Sequence, residues 1–188
     1  MNLATPLDPI ALHSLVASVT PRVTRVVRAV LGAAHADADD AVQQALIGFV
    51  DALADFRGEC AHAHFASRIA VRSAVAVARR SSRARVRRDD GVDLDSIAAE
   101  AEGSGETETV AEQHRLRELL RDLLGRIPAE QAEAMALRFV LGSSLEEVAT
   151  VTGVPLNTVR SRIRLAKKAL RAAIEADPAL SEELCAAE

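Results

Sequence analysis

Apolar residues recur at three- and four-residue steps along most of this 188-residue chain. That is the period of an amphipathic helix and not of a strand. Over 10–32 the series is Ile10, Leu12, Leu15, Val16, Val19, Val23, Val26, Val27, Val30 and Leu31. Pro21 interrupts it and predicts a kink or a break into two helices. A second helix is expected at about 38–55, with Val42, Ala45, Leu46, Phe49, Val50 and Leu53 as its stripe. A third is expected from about His62 into an Arg-rich stretch, burying Phe65, Ile69, Ala70, Val75 and Val77. Ala, Val and Leu supply the apolar content, because aromatics make up only 2% and Trp and Tyr are absent. The chain therefore reads as all-α.

The second half repeats the pattern with sharper punctuation. Leu116, Leu119, Leu120, Leu123, Leu124 and Ile127 form one stripe. Pro128 suits the first position of the next helix, about 128–141, which carries Ala132, Met135, Ala136, Phe139 and Val140. Gly142 comes next as a helix stop. Ser143 or Ser144 then caps a short helix whose Glu146 and Glu147 complement the helix dipole. Gly153 ends that helix, and a last one is expected at about 155–176. Short helix, glycine turn and second helix are the spacing of a helix-turn-helix. Val148 and Ala149 meet Val159 and Ile163 in that arrangement, with Ala166 and Leu170 further along the inward face.

The net charge of −4 hides a segregation of charge. Residues 68–88 hold eight Arg and no acid, 89–112 hold nine acids and no Lys or Arg, and 160–171 hold six basic residues and no acid. The acidic stretch, with Gly91, Gly103 and Gly105, predicts a flexible linker. The expected organisation is a helical domain over 10–88, a linker over 89–110, and a helix-turn-helix domain over 111–176. Cys60 and Cys185 fit no metal spacing, which suits two thiols in a reducing compartment. No secretory leader or membrane span is read, so a soluble cytoplasmic protein is expected.

A recognition helix puts its N-terminal side chains against base edges in the major groove. With Val159, Ile163 and Ala166 inward, Asn157, Thr158, Arg160, Ser161, Arg164 and Lys168 are outward or flanking. Arg suits guanine, and Ser or Thr serves several bases. Arg162, Lys167 and Arg171 are placed for phosphates, which position without specifying. A solvated basic face on a structural helix is the plainer alternative.

Residues 127–171, with Ile-Pro-Ala-Glu-Gln, Leu-Glu-Glu-Val-Ala and Thr-Val-Arg-Ser-Arg-Ile, resemble region 4 of extracytoplasmic-function (ECF) sigma factors of the sigma-70 family. Residues 37–80 resemble region 2. The matching pieces are Asp37-Ala-Asp-Asp-Ala-Val-Gln-Gln44, Asp55-Phe-Arg-Gly-Glu59, Arg68-Ile-Ala70 and Arg79-Arg80. The resemblance implies two small helical domains joined by a flexible acidic linker. It implies an alternative sigma factor that binds core RNA polymerase, through its beta-prime and beta subunits, and directs it to promoter DNA. An anti-sigma factor is a further candidate partner.

The resemblance also implies roles. Asp37, Asp39, Asp40, Gln43 and Gln44 fall where the family binds a basic coiled coil of the beta-prime subunit. Plain helix capping would also explain Asp39 and Asp40. Arg57, His62, His64 and Phe65 fall in the loop that captures an unstacked base of the −10 element, and surface loop residues are the alternative for both His. Arg68, Arg72, Arg79 and Arg80 fall on the DNA-facing helix. Asn157, Thr158, Arg160, Ser161, Arg164 and Lys168 fall on the helix that reads the −35 element. The chain departs from the family at Phe65, where a Trp is usual, at Ser67, where an aromatic is usual, at Val50, often Trp, and at Leu165, usually Arg. No enzyme site, metal site or cofactor motif is read. Two other functions fit parts of the pattern: a stand-alone helix-turn-helix regulator with an N-terminal dimerisation domain, and a protein–protein adaptor that has lost DNA binding.

Overall fold

The computed structural model describes residues 8–89 and 108–176. From 90 to 107 the expected linker lies outside the described residues, as do 1–7 and the tail from 177. The described residues form helices and turns, with no strand among them.

Helix α1 (Pro9–Leu31) starts on a proline, whose missing N–H would have had no helical partner there. It buries Val19, Val23, Val26, Val27, Val30 and Leu31. The expected break at Pro21 does not occur. Pro21 and Ala17, the residue whose carbonyl loses its donor, are both exposed, so water can serve that carbonyl and the helix runs through. Ile10, expected as the first core residue, is 75% exposed because the first turns of α1 extend past the helices that cover the rest.

Gly32 turns the chain at a φ of 96°, its N–H donating to the Arg28 carbonyl. Helix α2 (Ala38–Ala52) buries Ala38, Ala41, Ala45 and Phe49, and a 3₁₀ turn (Leu53–Asp55) extends it. Helix α3 (His62–Asp89) buries Ala66, Ala70, Ala74 and Ala78 at four-residue intervals, flanked by Val71, Val75 and Val77. A ridge of small side chains lets neighbouring helices approach closely. Two hydroxyls tie α3 to its neighbours. Ser73 Oγ donates to the Ala41 carbonyl at 2.9 Å, and Ser67 Oγ accepts from Arg22 Nε at 2.6 Å.

Helix α4 (Glu108–Arg126) begins inside the stretch expected as linker. Helix α5 (Ala129–Met135) passes into a π-type turn (Ala136–Val140), and α6 (Leu145–Thr152) and α7 (Leu156–Glu175) complete the chain. The π turn adds a residue to the helical circuit and rotates the side chains beyond it. Phe139, expected in the buried stripe, is consequently 55% exposed, while Ala136 and Leu137 are buried.

The two halves pack against each other, and one apolar cluster runs from Val19 and Phe49 through Val71 to Ile127, Val148 and Val159. The crossing of α3 and α4 is tight at Gly125. A Cβ there would meet the Ala78 carbonyl oxygen and Ser82 Cβ, each at 2.7 Å. Glycine inside a helix costs about 1 kcal/mol relative to alanine, and here it admits the backbone of α3. The Arg79 guanidinium donates to the Ile127 carbonyl, and Arg68 Nε pairs with Glu133 Oε1 at 3.1 Å.

Gly125→Ala should push the halves apart. Overpacking of this kind costs about 1–3 kcal/mol. Small-angle scattering should report a larger radius of gyration, with helicity by circular dichroism unchanged; equal radii for variant and parent would refute the tight crossing.

Candidate nucleic-acid and polymerase interfaces

The acidic surface is the N-terminal end of α2. Asp37, Asp39, Asp40, Gln43 and Gln44 are all exposed, as the first-turn dipole position favours for the acids. None of Asp37's side-chain oxygens caps the helix. Instead the Asp37 N–H donates to His35 Nδ1 at 3.1 Å. Asp39 pairs with Arg28 at 3.5 Å, an exposed contact of little energetic weight. Asp39 and Asp40, for which plain helix capping is the alternative, stand in the first turn, where the dipole favours acids on either account. Asp40, Gln43 and Gln44 also edge a groove of about 780 Å³ whose far wall is Ile69, Arg72, Ser73 and Arg80 of α3.

His35 sits between this surface and α4. Burial pushes its pKa below the ordinary value, Arg121 lowers it further, and Asp37 and Glu118 oppose.

The second surface is the loop before α3 and the start of that helix. Phe56 is its centre: its ring lies 4.8 Å from the ring of His62 and 4.8 Å from that of Phe65. Phe65 continues inward to Phe49 at 6.0 Å and is half-buried. Of the ring-bearing residues expected to capture a base, His62 is exposed, while Phe65 is largely committed to packing. Phe56 is absent from the sequence-based set, although its place in the Asp55–Glu59 motif is a signal for it. Arg57 is exposed and His64 half-buried. Along α3, Arg72 and Arg80 are exposed, whereas Arg68 and Arg79 are engaged by α5 and by the α4–α5 turn.

Ser67, at one of the positions where the family usually has an aromatic, is 4% exposed and fully used. It accepts from Arg22 and donates to the Ala63 carbonyl at 2.7 Å.

The third surface is the helix-turn-helix. Ser144 is the cap, and the capping box is complete: the Glu147 N–H donates to Ser144 Oγ at 3.1 Å, and the Ser144 N–H donates to Glu147 Oε2 at 2.7 Å. These bonds hold the Glu147 carboxyl below its usual pKa. Gly153 takes the left-handed conformation at φ 67°, which a side chain would strain, and the chain turns into α7. Val148, Val151, Val159, Ile163 and Ala166 are buried between the two helices and their support. Asn157, Arg160, Arg164 and Lys168 are exposed, so they share one outward stripe of α7. Thr158 and Ser161 are half-buried, and Ser161 Oγ donates to the Thr158 carbonyl at 2.9 Å. Two residues expected at phosphates have neighbours within the chain. Lys167 Nζ lies 5.1 Å over the Phe139 ring, and Arg162 lines a cleft against α3.

Among the described residues no group of His, Cys, Asp and Glu could hold a metal ion, and no helix is long and apolar enough to cross a membrane.

An aromatic loop leading into an arginine-bearing helix, with a helix-turn-helix after it, is the arrangement of a promoter-recognition protein. The sigma-70 region 2 family matches residues 15–84 and the sigma-70 region 4 family matches 117–170. The chain is 34% identical over 141 residues to the ECF RNA polymerase sigma-E factor of Escherichia coli K12, covering 71% of this chain and 72% of that one. It is 33% identical over 148 residues to the RNA polymerase sigma-H factor of Pseudomonas aeruginosa, covering 74% of each. Similar solved structures include the sigma factor RpoE of Bartonella quintana with the anti-sigma factor NepR (TM-score 0.47, 23% identity, 88% of this chain and 97% of that one). Another is CnrH with the cytosolic domain of CnrY (TM-score 0.49, 21% identity, 91% and 92%). The chain belongs to the ECF group of the sigma-70 family. It is an alternative sigma factor, a transcription initiation factor that binds core RNA polymerase and directs it to promoter DNA. The region 2 match fills the N-terminal half, where a stand-alone regulator would need a dimerisation domain.

Because His35 is favoured in its neutral form by the fold, stability should be full above its ordinary pKa and fall as pH drops below it. The melting temperature should decline between pH 7 and pH 5, and His35→Gln should flatten that decline. An identical pH profile in the variant would exclude His35 as the cause.

Proposed function

We propose that the sigma activity is divided among the three surfaces. The α2 end, with Asp37, Asp39, Asp40, Gln43 and Gln44, meets a basic element of the beta-prime subunit of core polymerase, where opposite charge gives steering and register. The beta subunit is contacted elsewhere. The loop and α3, with Arg57, His62, His64, Phe65, Arg68, Arg72, Arg79 and Arg80, engage the −10 element, and Phe56 joins them as a stacking ring. The outer face of α7, with Asn157, Thr158, Arg160, Ser161, Arg164 and Lys168, reads the −35 element. The domains are those read from the sequence, 10–88 and 111–176, with α4 reaching back to Glu108 at the edge of the acidic linker.

The single observation that carries this reading is the outward stripe of α7. Asn157, Arg160, Arg164 and Lys168 stand exposed on a helix whose opposite side is buried in a capped helix-turn-helix. Such a stripe is what major-groove entry requires. On this reading Arg68 and Arg79 have to exchange Glu133 and the Ile127 carbonyl for promoter phosphates, so polymerase binding and domain separation are coupled. The protein acts with the polymerase in the cytoplasm and is not an enzyme. Family membership makes an anti-sigma factor a further partner.

The test is capture of bacterial core polymerase by the purified protein. The wild type should retain core, and the Asp39→Ala, Asp40→Ala, Gln43→Ala variant should lose at least about tenfold in affinity, about 1.4 kcal/mol. Equal capture by both would move the polymerase interface away from α2. In a separate binding series, Arg164→Ala should weaken binding of the polymerase holoenzyme to −35 promoter DNA while leaving core capture intact; unchanged promoter affinity would remove Arg164 from the reading face.

A further inference from the structure

A cleft of about 520 Å³ lies between α3 and the helix-turn-helix half. Arg72 and Arg80 enter it from α3 and Arg162 from α7, with the Arg68–Glu133 pair at its wall. Arg68 is matched by Glu133 and Arg79 by a carbonyl. Arg72, Arg80 and Arg162 form no ion pair among the described residues. Glu130 is exposed at the rim of the cleft, and Asp40 lies across the separate groove that Arg72 and Arg80 also wall.

Like charges converging on a confined cleft with low-dielectric walls focus a positive potential there. A guanidinium is weakly hydrated and presents a planar fork that matches phosphate oxygens two at a time. Guanidiniums converging from two directions favour a compact ligand carrying several charges over a single monoanion. The volume lies within the roughly 300–1,000 Å³ of small-molecule sites.

We propose that this cleft is a binding site for a small polyphosphate, held by Arg72 and Arg80 on one half and Arg162 on the other. The ligand bridges the two halves and therefore favours the closed arrangement of the factor. The site shares Arg72 and Arg80 with the surface proposed for the −10 element, but binding of its ligand needs neither DNA nor polymerase. Inorganic and nucleoside polyphosphates share the recognising chemistry.

The experiment is calorimetric titration of the full-length protein at low salt. Inorganic tripolyphosphate is the probe, with magnesium-free ATP as the nucleoside arm and inorganic phosphate as the monophosphate control. The expected result is saturable one-to-one binding of tripolyphosphate and at least about tenfold weaker binding of phosphate. Equal affinity for ATP and tripolyphosphate would support recognition of the phosphate chain alone. Tighter ATP binding would support the proposal with a nucleoside as the source. Arg162→Ala and Arg72→Ala should each weaken tripolyphosphate binding about tenfold and abolish the rise in melting temperature that the ligand gives the parent. Arg162→Lys, which keeps the charge and loses the fork, should fall between. Arg25→Ala, which removes an exposed charge of α1 outside the cleft, should change neither. The proposal is overturned if tripolyphosphate does not saturate, if Arg25→Ala weakens binding as much as Arg162→Ala, or if Arg162→Ala has no effect while remaining folded. Circular dichroism of each variant separates lost binding from lost fold. Because neither polymerase nor promoter is present, failure here leaves the sigma assignment untouched.

Discussion

The alanine ridge of α3 is the constraint on which the other helices depend. Ala66, Ala70, Ala74 and Ala78 are all 1% exposed or less and stand one above another. Small side chains bring backbones close, and dispersion contacts then accumulate over many atom pairs. The same rule recurs on α2 with Ala38, Ala41 and Ala45, and on α4 with Gly125. A core of this kind has few large side chains to rearrange. Phe49 is its largest fully buried residue. Its stability rests on close approach and not on bulk, so added volume is the change it tolerates least.

This economy ties structure to function through the outer side of α3. The helix that supplies the ridge also carries the arginines. Two of them are satisfied within the chain, Arg68 by the buried Glu133 and Arg79 by a backbone carbonyl, while Arg72 and Arg80 are exposed. Glu133 needs its cation, because a buried carboxylate without a partner is strongly unfavourable. The two halves are thus held by contacts that are polar and charged as well as apolar. Such contacts can be exchanged for others of the same kind, as a protein that must engage polymerase and DNA requires.

The helix-turn-helix is legible in the sequence nearly to the residue, because its cap, its glycine turn and its apolar spacing are local signals. Ser144, Gly153 and the buried Val159, Ile163 and Ala166 stand as their chemistry demands. The helical class emerges from periodicity in the same way. What periodicity cannot supply is the neighbour on each face. It places Arg68 and Arg79 on a basic side of α3 without revealing that Glu133 and the Ile127 carbonyl lie opposite. It treats Phe139 as buried, since a π turn leaves no mark in the spacing until the helix is built. Phe65 and Phe56 show the same limit. Two nearby aromatics read alike in a string, and only the position of Phe49 makes one of them mainly packing and leaves the other beside an exposed His62. Of the kink or break expected at Pro21, the break does not form, and the exposure of the proline that lets the helix run through is not written in local sequence.

Ser67 carries a consequence for how α1 and α3 can vary. The family resemblance leads to the expectation of an aromatic side chain there, but in this chain the position is enclosed and its hydroxyl accepts from the Arg22 guanidinium. A ring placed there by one substitution would overfill the site and remove the hydroxyl that Arg22 meets. Losing Arg22 first would leave the serine with only its bond to the Ala63 carbonyl. The two positions share one hydrogen bond, so the effects of changing them should not simply add.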